Sequence, residues 1–210
     1  MRKILLSAVC ILICASCLIA DDGYQSGITN ILHKLSSIGY RERMSATNSI
    51  DLLMLTQTNN DHIAECKLLK AIALLECAEI EHDNSLCTTA RNLCESVKSD
   101  YSCCPSGWRF MGACLIEMQA LAQKEEYAQA YSLATNVIAF APLADFERST
   151  NIWCALFGAD IPTQISLRDA FKVNAAEALL SMDRASDITA LTNGLPPRAM
   201  EKIAELLVNP

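Results

Sequence analysis

The sequence predicts an all-α protein, and three features support this fold class. Its 210 residues include only seven glycines and six prolines, few for a chain built from many short strands and tight turns. Alanine, leucine and glutamate, which favour helices, are abundant. Apolar residues also recur at three- and four-residue steps, which places them on one buried face of a helix. We therefore expect long helices joined by short connections.

The clearest pair of helices is centred on His82. Apolar residues recur at helical spacing between residues 61 and 80, which predicts the first helix. Asp83 is a good N-cap for the second, whose apolar side extends to Val97. Because the connection is so short, we expect the two helices to pack as an antiparallel hairpin.

Further helices are predicted before and after this hairpin. They cover residues 26–38, 42–57, 105–123, 126–141, 145–157, 165–182, 184–193 and 197–208. Gly39 separates the first two, Pro105 lies in the first turn of the third, and Pro142 ends the fourth. Residues 21–25 are expected to be a disordered start. No long linker divides the helices, so residues 21–210 are predicted to form a single domain.

The first twenty residues are predicted to be an export signal. Arg2 and Lys3 precede an apolar run from Ile4 to Ala20. One outcome is cleavage after Ala20. Another is acylation of Cys17, because residues 14–17 resemble the lipobox of bacterial lipoproteins. The third is an uncleaved anchor, since the run reaches the lower limit of about 17 residues for a spanning helix. Each outcome predicts an exported protein that is secreted, periplasmic or anchored to a membrane and facing away from the cytoplasm.

The charge of the chain restricts its partners. The formal net charge is −7, and removing the leader leaves 15 basic against 24 acidic residues, a net charge of −9. Such a chain repels nucleic acid, so no nucleic-acid partner is expected. We expect a neutral or basic protein or peptide partner, and contact with a membrane only through a lipid or an uncleaved N-terminal anchor.

Residues 121–142 carry the pattern of one helical repeat. Tyr127 follows a predicted turn, Ala130 and Ala134 are small residues on the second helix, and Pro142 closes that helix. In these positions the segment resembles a tetratricopeptide repeat. The resemblance implies stacked antiparallel helical hairpins that form a superhelix. An irregular helical bundle is the alternative architecture.

The cysteines predict disulfide bonds. Eight cysteines follow the leader, and an even number in an exported chain favours bridges. Cys77 and Cys87 are each five residues from the centre of the predicted turn, so an antiparallel hairpin would place them opposite each other. By the same geometry Cys66 would lie within about one turn of Cys94 or Cys103. We therefore expect a disulfide-linked domain, with buried free thiols as the alternative.

Motifs for catalysis, cofactor binding and metal binding are not found after residue 20. The sequence there has no Gly-x-Ser-x-Gly, no glycine-rich phosphate loop and no Cys-x-x-Cys pair. The histidines His33, His62 and His82 are expected to be polar surface residues. Glu125 and Glu126 are adjacent on the chain, so on a helix they would point about 100° apart and could not face one substrate. We expect a protein with no enzymatic activity, no cofactor and no metal.

Two functions fit such a helical stack. The first is a protein-interaction or scaffold module of the cell envelope or extracellular space, which would hold a partner segment in a groove. The candidate groove residues are Trp108, Arg109, Phe110, Tyr127 and Tyr131. The alternative is a disulfide-stabilised helical carrier that encloses a small apolar ligand. Its candidate cavity residues are Met111, Leu115, Met118, Phe140, Trp153 and Phe157.

Overall fold

A computed structural model describes residues 22–36, 39–105, 107–139 and 167–208. In these ranges the chain forms α1 Asp22–Leu35, α2 Tyr40–Leu55, α3 Asn60–Glu81, α4 Asn84–Asp100, α5 Trp108–Gln123, α6 Tyr127–Ile138, α7 Leu167–Ser181, a 3-10 helix Ala185–Ile188, α8 Thr189–Thr192 and α9 Pro197–Val208. No strand occurs in this part of the chain. The predicted all-α class is therefore confirmed for the described residues.

The helices stack in the order of the chain. Each helix from α1 to α4 contacts the next one, α5 contacts α6, α6 contacts α7, and α9 packs on α7. In addition α3 contacts α5, and α5 contacts α7. Successive hairpins therefore share contacts between their first helices as well as within each hairpin.

Two helices form the centre of the stack. Buried residues in α3 extend from Ala64 to Ala78, and in α5 from Met111 to Leu121. A helix that is buried around most of its circumference belongs to the interior of a domain. Of the neighbouring helices, α4 presents one apolar face to this centre by burying Cys87, Ala90, Cys94 and Val97, and its other face is exposed to solvent.

The predicted hairpin around His82 is confirmed. His82 ends α3 in the left-handed region, with φ 54° and ψ 38°, and its backbone N–H donates to the carbonyl of Ala78. The Asp83 side chain then accepts a hydrogen bond of 2.8 Å from the backbone N–H of Ser85. This N-cap satisfies one of the free donors at the start of α4.

Three predicted segments differ from the structure. Residues 22–25 are helical rather than disordered, because Tyr24 packs into the core with 2 % of its surface exposed. The helix expected from Pro105 begins at Trp108. It follows a turn in which the backbone carbonyl of Cys104 accepts a hydrogen bond of 2.9 Å from the backbone N–H of Gly107. The helix expected at residues 184–193 is a 3-10 helix followed by the single turn α8.

Some predictions fall outside the described residues. These include the export signal, its Cys17 and the helix at residues 145–157. Among the helices that the structure describes, none has the length and apolar character needed to cross a lipid bilayer.

Candidate functional site

Three glutamates interrupt the apolar interior of α3 and α5. Glu65, Glu76 and Glu117 are all buried. Burying an ionised carboxylate is costly unless a cation or hydrogen-bond donors lie against it. Each of the three accordingly faces a basic side chain from a neighbouring helix. In the described part of the chain, the interior of α3 and α5 therefore contains ionisable groups at three defined places.

The ion pair at Glu65 belongs to a network that we call the Arg109 cluster, made of Tyr24, Asp61, Glu65, Tyr101 and Arg109. Glu65 accepts hydrogen bonds from the Tyr24 hydroxyl at 2.6 Å and from Arg109 Nη2 at 2.9 Å. The same Nη2 lies 3.2 Å from Asp61 Oδ2, and the Tyr101 hydroxyl donates to Asp61 Oδ1 at 2.5 Å. The cluster joins α1, α3, the end of α4 and the start of α5.

The hydroxyl and carboxylate groups of the Arg109 cluster form hydrogen bonds within it, whereas Arg109 Nε is buried without a hydrogen-bond partner. Burial, and then the hydrogen bond to Glu65, raise the pKa of Tyr24. Burial, and then the hydrogen bond to Asp61, raise the pKa of Tyr101 to about 12. Both phenols therefore stay protonated near neutral pH and continue to donate to the carboxylates. We infer that the cluster holds the ends of α1, α3, α4 and α5 together.

His62 packs against the Arg109 cluster. Its ring stacks on the ring of Tyr24, with centroids 3.7 Å apart and planes inclined by 2°. Its Nδ1 lies 3.1 Å from Oε1 of Gln57. His33 and His82 are exposed as predicted, whereas His62 is half buried, because the early start of α1 places Tyr24 against it.

The candidate site is an open cleft between α4, α5 and α6, which we call the α4–α6 cleft. Its volume is about 300 Å³. The lining residues are Arg91 of α4, Glu117 and Leu121 of α5, and Gln129, Ser132, Leu133 and Asn136 of α6. The four residues from α6 recur at three- and four-residue steps, so they form one face of that helix. This size is at the lower end of the range for ligand pockets.

The floor of the cleft carries charges that are paired within the protein. Glu117 forms a short contact with Lys98 and lies 3.7 Å from Nη2 of Arg91. Nη1 of the same arginine lies 3.5 Å from Glu126 Oε2, and its Nε is buried without a hydrogen-bond partner. Lys124 Nζ lies 2.6 Å from the other oxygen of Glu126, so three cations face two carboxylates beneath the cleft. Each of these charges has a partner within the protein, so a ligand there would not meet an unpaired charge.

The rim of the cleft is polar and neutral. Gln129, Ser132 and Asn136 are exposed, and their amide and hydroxyl groups can both donate and accept hydrogen bonds. Leu133, beside them on the same face, provides apolar surface, whereas Leu121 also lines the cleft but is only 2 % exposed. This combination fits an extended peptide, whose main chain offers donors and acceptors and whose side chains alternate in direction.

The groove residues predicted from the sequence are not brought together. Trp108 and Arg109 lie at the start of α5, where the guanidinium stacks 4.5 Å from the indole. Phe110 packs against the main core. Tyr127 and Tyr131 lie in the first turns of α6, next to the C-terminal end of α5. At 1.5 Å per residue, the two ends of α5 are about 20 Å apart. The structure therefore does not place these five residues in one groove.

The residues predicted for a carrier cavity are divided in the same way. Met111, Leu115 and Met118 are buried in the main core. The other three, Phe140, Trp153 and Phe157, lie outside the described residues.

The predicted disulfide linkage is not supported. All seven described cysteines are free thiols: Cys66, Cys77, Cys87, Cys94, Cys103, Cys104 and Cys114. Cys77 and Cys87 do flank the hairpin turn, but they face different neighbours. Cys77 lies close enough to Arg43 of α2 to interact electrostatically with it, whereas the Cys87 thiol donates to Gln123 Oε1 of α5 at 3.2 Å. The hairpin does not bring the two thiols together, because α3 also packs against α2 and α5 and has no single face toward α4.

The second expected bridge fails for the same reason. Cys66 lies near Tyr24 of α1, and Cys94 lies near Cys114 of α5. Cys103 is exposed in the turn after α4. Burial raises the pKa of the Cys66 thiol to about 12 and that of Cys114 also to about 12, so these groups stay protonated and unreactive near neutral pH. Cys154 lies outside the described residues.

The residues that line the α4–α6 cleft were not predicted from the sequence, although one of them, Glu117, stands out in it. Glu117 is the only charged residue in the run from Phe110 to Gln123, and one acid in an apolar helix indicates a buried ion pair. Gln129, Ser132 and Asn136 recur at helical spacing, but polar residues at that spacing usually mark a solvated face.

Within the described ranges, no three His, Cys, Asp or Glu side chains lie close enough to hold a metal ion. Comparison with protein-family models, with curated proteins and with solved structures finds no match to this chain. The function has to be inferred from the residues themselves.

Proposed function

We propose that this chain is an exported, non-enzymatic protein-interaction module that holds a neutral or basic peptide segment of its partner in the α4–α6 cleft. The observation that carries the proposal is the neutral polar rim formed by Gln129, Ser132 and Asn136 over a floor of paired charges. Side-chain amides and a hydroxyl can pair with a peptide main chain without requiring a particular sequence. The apolar Leu133 would then contact one side chain of the peptide.

The arrangement of the helices supports the same role. Contacts between α3 and α5 and between α5 and α7 are what a tetratricopeptide-like stack of hairpins requires. In such arrays the surface between successive hairpins is extended and suits a segment rather than a compact ligand. The net charge of −9 without the leader favours a neutral or basic partner through long-range attraction. The apolar leader is the basis for placing the module outside the cytoplasm.

Selection from a library of displayed random peptides tests the proposal. We expect the full chain to enrich neutral or basic peptides and to bind a synthetic copy with a measurable Kd. The variant Asn136→Arg places a long charged side chain on the rim of the cleft, and should weaken that binding at least tenfold. Asn92→Arg is the matched control, because Asn92 is exposed on α4 and does not line the cleft.

Two results would overturn the proposal. One is the absence of any enriched peptide with protein whose far-ultraviolet circular dichroism shows a folded helical chain. The other is equal binding of the selected peptide by both arginine variants, which would place the contact elsewhere. The apolar-ligand carrier stays a prediction from the sequence, since the described residues offer no specific observation in its favour.

A further inference from the structure

Two leucines in the last turn of α2 are exposed to solvent. Leu52 is 67 % exposed and Leu55 is 82 % exposed. They are three residues apart, so they project from the same face of the helix. Earlier positions on that face are polar, as at Ser45 and Asn48. The apolar surface is therefore confined to one end of α2.

This end of α2 lies beside the start of α1. The Lys34 side chain donates to the Ser49 hydroxyl at 2.6 Å, and a Cβ added to Gly27 would lie 2.8 Å from Leu53 Cδ1. The two helices are thus antiparallel, with residue 27 level with residue 53. At 1.5 Å per residue, the first residue of α1 lies only about 5 Å beyond Leu55 along the helix axes.

The apolar N-terminal run is covalently attached at the same end. Residues 4–20 immediately precede α1, and they contain no charged residue. Whether this run is retained or carries a lipid on Cys17, its membrane-seeking part joins the fold beside Leu52 and Leu55. An anchor attached at this point holds the two leucines near the bilayer surface, where burial of their apolar surface adds to the binding.

The charge distribution distinguishes the two ends of the stack. At the α2 end, the connection at residues 52–60 and the turn at residues 101–107 contain no charged side chain, and the acidic residues Asp22, Asp61 and Asp100 lie in the adjoining helix ends. At the opposite end, α3 and α4 are joined next to Glu81 and Asp83, and α5 and α6 are joined by residues 124–126, all of which are charged. The connections at the α2 end can therefore approach lipid at a lower desolvation cost than the charged connections at the opposite end.

We propose that Leu52 and Leu55 insert into the surface of a zwitterionic lipid bilayer to which the N-terminal segment holds the chain. Zwitterionic lipid is specified because the acidic protein would be repelled by an anionic surface. The charged end of the stack, with Ile80 on α3, then points away from the membrane. This contact goes beyond peptide binding and does not depend on the α4–α6 cleft.

Fluorescence quenching by brominated lipid tests this orientation. The full chain is reconstituted into phosphatidylcholine vesicles whose acyl chains are brominated or unbrominated. Leu55→Trp and Ile80→Trp form a matched pair, since each replaces an exposed aliphatic side chain near a helix end and Ile80 is 41 % exposed. We expect brominated lipid to reduce the fluorescence that Leu55→Trp adds to the parent by at least threefold. The fluorescence added by Ile80→Trp should be unchanged.

Three results would overturn the proposal. The first is equal quenching of the two added tryptophans, or none at position 55. The second is a vesicle-free chain whose mass shows that it begins at Asp21, because such a chain has no anchor. The third is a lipid-free dimer that becomes monomeric in Leu52→Ser/Leu55→Ser, as judged by sedimentation equilibrium, which would assign the leucines to a second copy. None of these results affects the peptide-binding test with Asn136→Arg.

Discussion

The Tyr24 hydroxyl donates a hydrogen bond of 2.6 Å to Glu65, a carboxylate 41 residues further along the chain. Glu65 is 9 % exposed, and its other oxygen accepts from Arg109 at 2.9 Å. The first turn of α1 is thus held by a charged group of the central helix α3. The same contacts explain why Arg109, a candidate for partner binding in the sequence, is directed into the protein.

Replacing Tyr24 by phenylalanine should destabilise the fold. The ring and its stacking on His62 would remain, while Glu65 would lose one of its two donors. A hydrogen bond to a charged group contributes about 1.5 to 3 kcal/mol, so we expect Tyr24→Phe to lower the free energy of unfolding by that amount. Urea denaturation monitored by circular dichroism measures it. Tyr127→Phe, at a half-exposed tyrosine, should change stability by less than about 0.5 kcal/mol. Equal effects of the two substitutions would contradict the role assigned to Glu65.

The cysteines should separate into two classes of reactivity. Cys103 and Cys104 are exposed, whereas Cys66, Cys94 and Cys114 are buried and burial raises the pKa of each thiol. In the folded protein at pH 7.5, iodoacetamide should modify the exposed pair and leave the buried three unmodified until denaturant is added. Peptide mapping by mass spectrometry identifies the modified sites.

Disulfide bonds among these cysteines would give a different result. Each bridge would add two mass units on reduction and would protect its cysteines from alkylation even in denaturant. Finding Cys66 or Cys94 protected in this way would restore the disulfide-linked domain that the sequence predicts. Protection of Cys103 alone would not restore that prediction, because exposed thiols also oxidise during handling.

The local features of the fold were predictable from the sequence because they depend on neighbouring residues. The hairpin at His82, the N-cap Asp83 and the last helix from Pro197 all follow from signals within a few positions of each other. The break at residues 184–193 was not predictable in this way. Arg184 pairs there with Asp187 at 2.6 Å, and that contact accompanies a 3-10 turn instead of a continuous helix.

The ion pairs beneath the α4–α6 cleft join residues that are far apart in the chain. Local sequence patterns do not predict such pairs. Lys98 and Glu117 are 19 residues apart, and Arg91 and Glu126 are 35 apart. Nothing in the local pattern says which cation will face which acid. The disulfide prediction failed for a related reason, since it treated one hairpin as isolated although α3 also contacts α1, α2 and α5.

The buried Glu76 makes stability depend on pH. Its nearest cation is Arg43, with Nη1 3.3 Å from Oε2, but neither carboxylate oxygen accepts a hydrogen bond. Burial raises the pKa of Glu76 from 4.5 to about 7, against the opposing effect of Arg43. The unfolded chain therefore loses this proton at lower pH than the folded chain. The protonated Glu76 carboxyl therefore contributes to the free energy of unfolding. This contribution is fully present below about pH 4.5 and is lost as the pH rises through 7.

Replacing Glu76 by glutamine should remove this dependence. Glutamine resembles the protonated acid, so Glu76→Gln should match the parent protein near pH 5 and exceed its stability at pH 8. The expected gain is up to about 3 kcal/mol, from about 1.4 kcal/mol for each unit of the pKa shift. Urea denaturation at pH 5, 6.5 and 8 measures the free energy of unfolding of each protein. Glu95→Gln, at an exposed position on α4, should retain the pH dependence of the parent. A decline from pH 5 to 8 as steep in Glu76→Gln as in the parent would show that another group causes it.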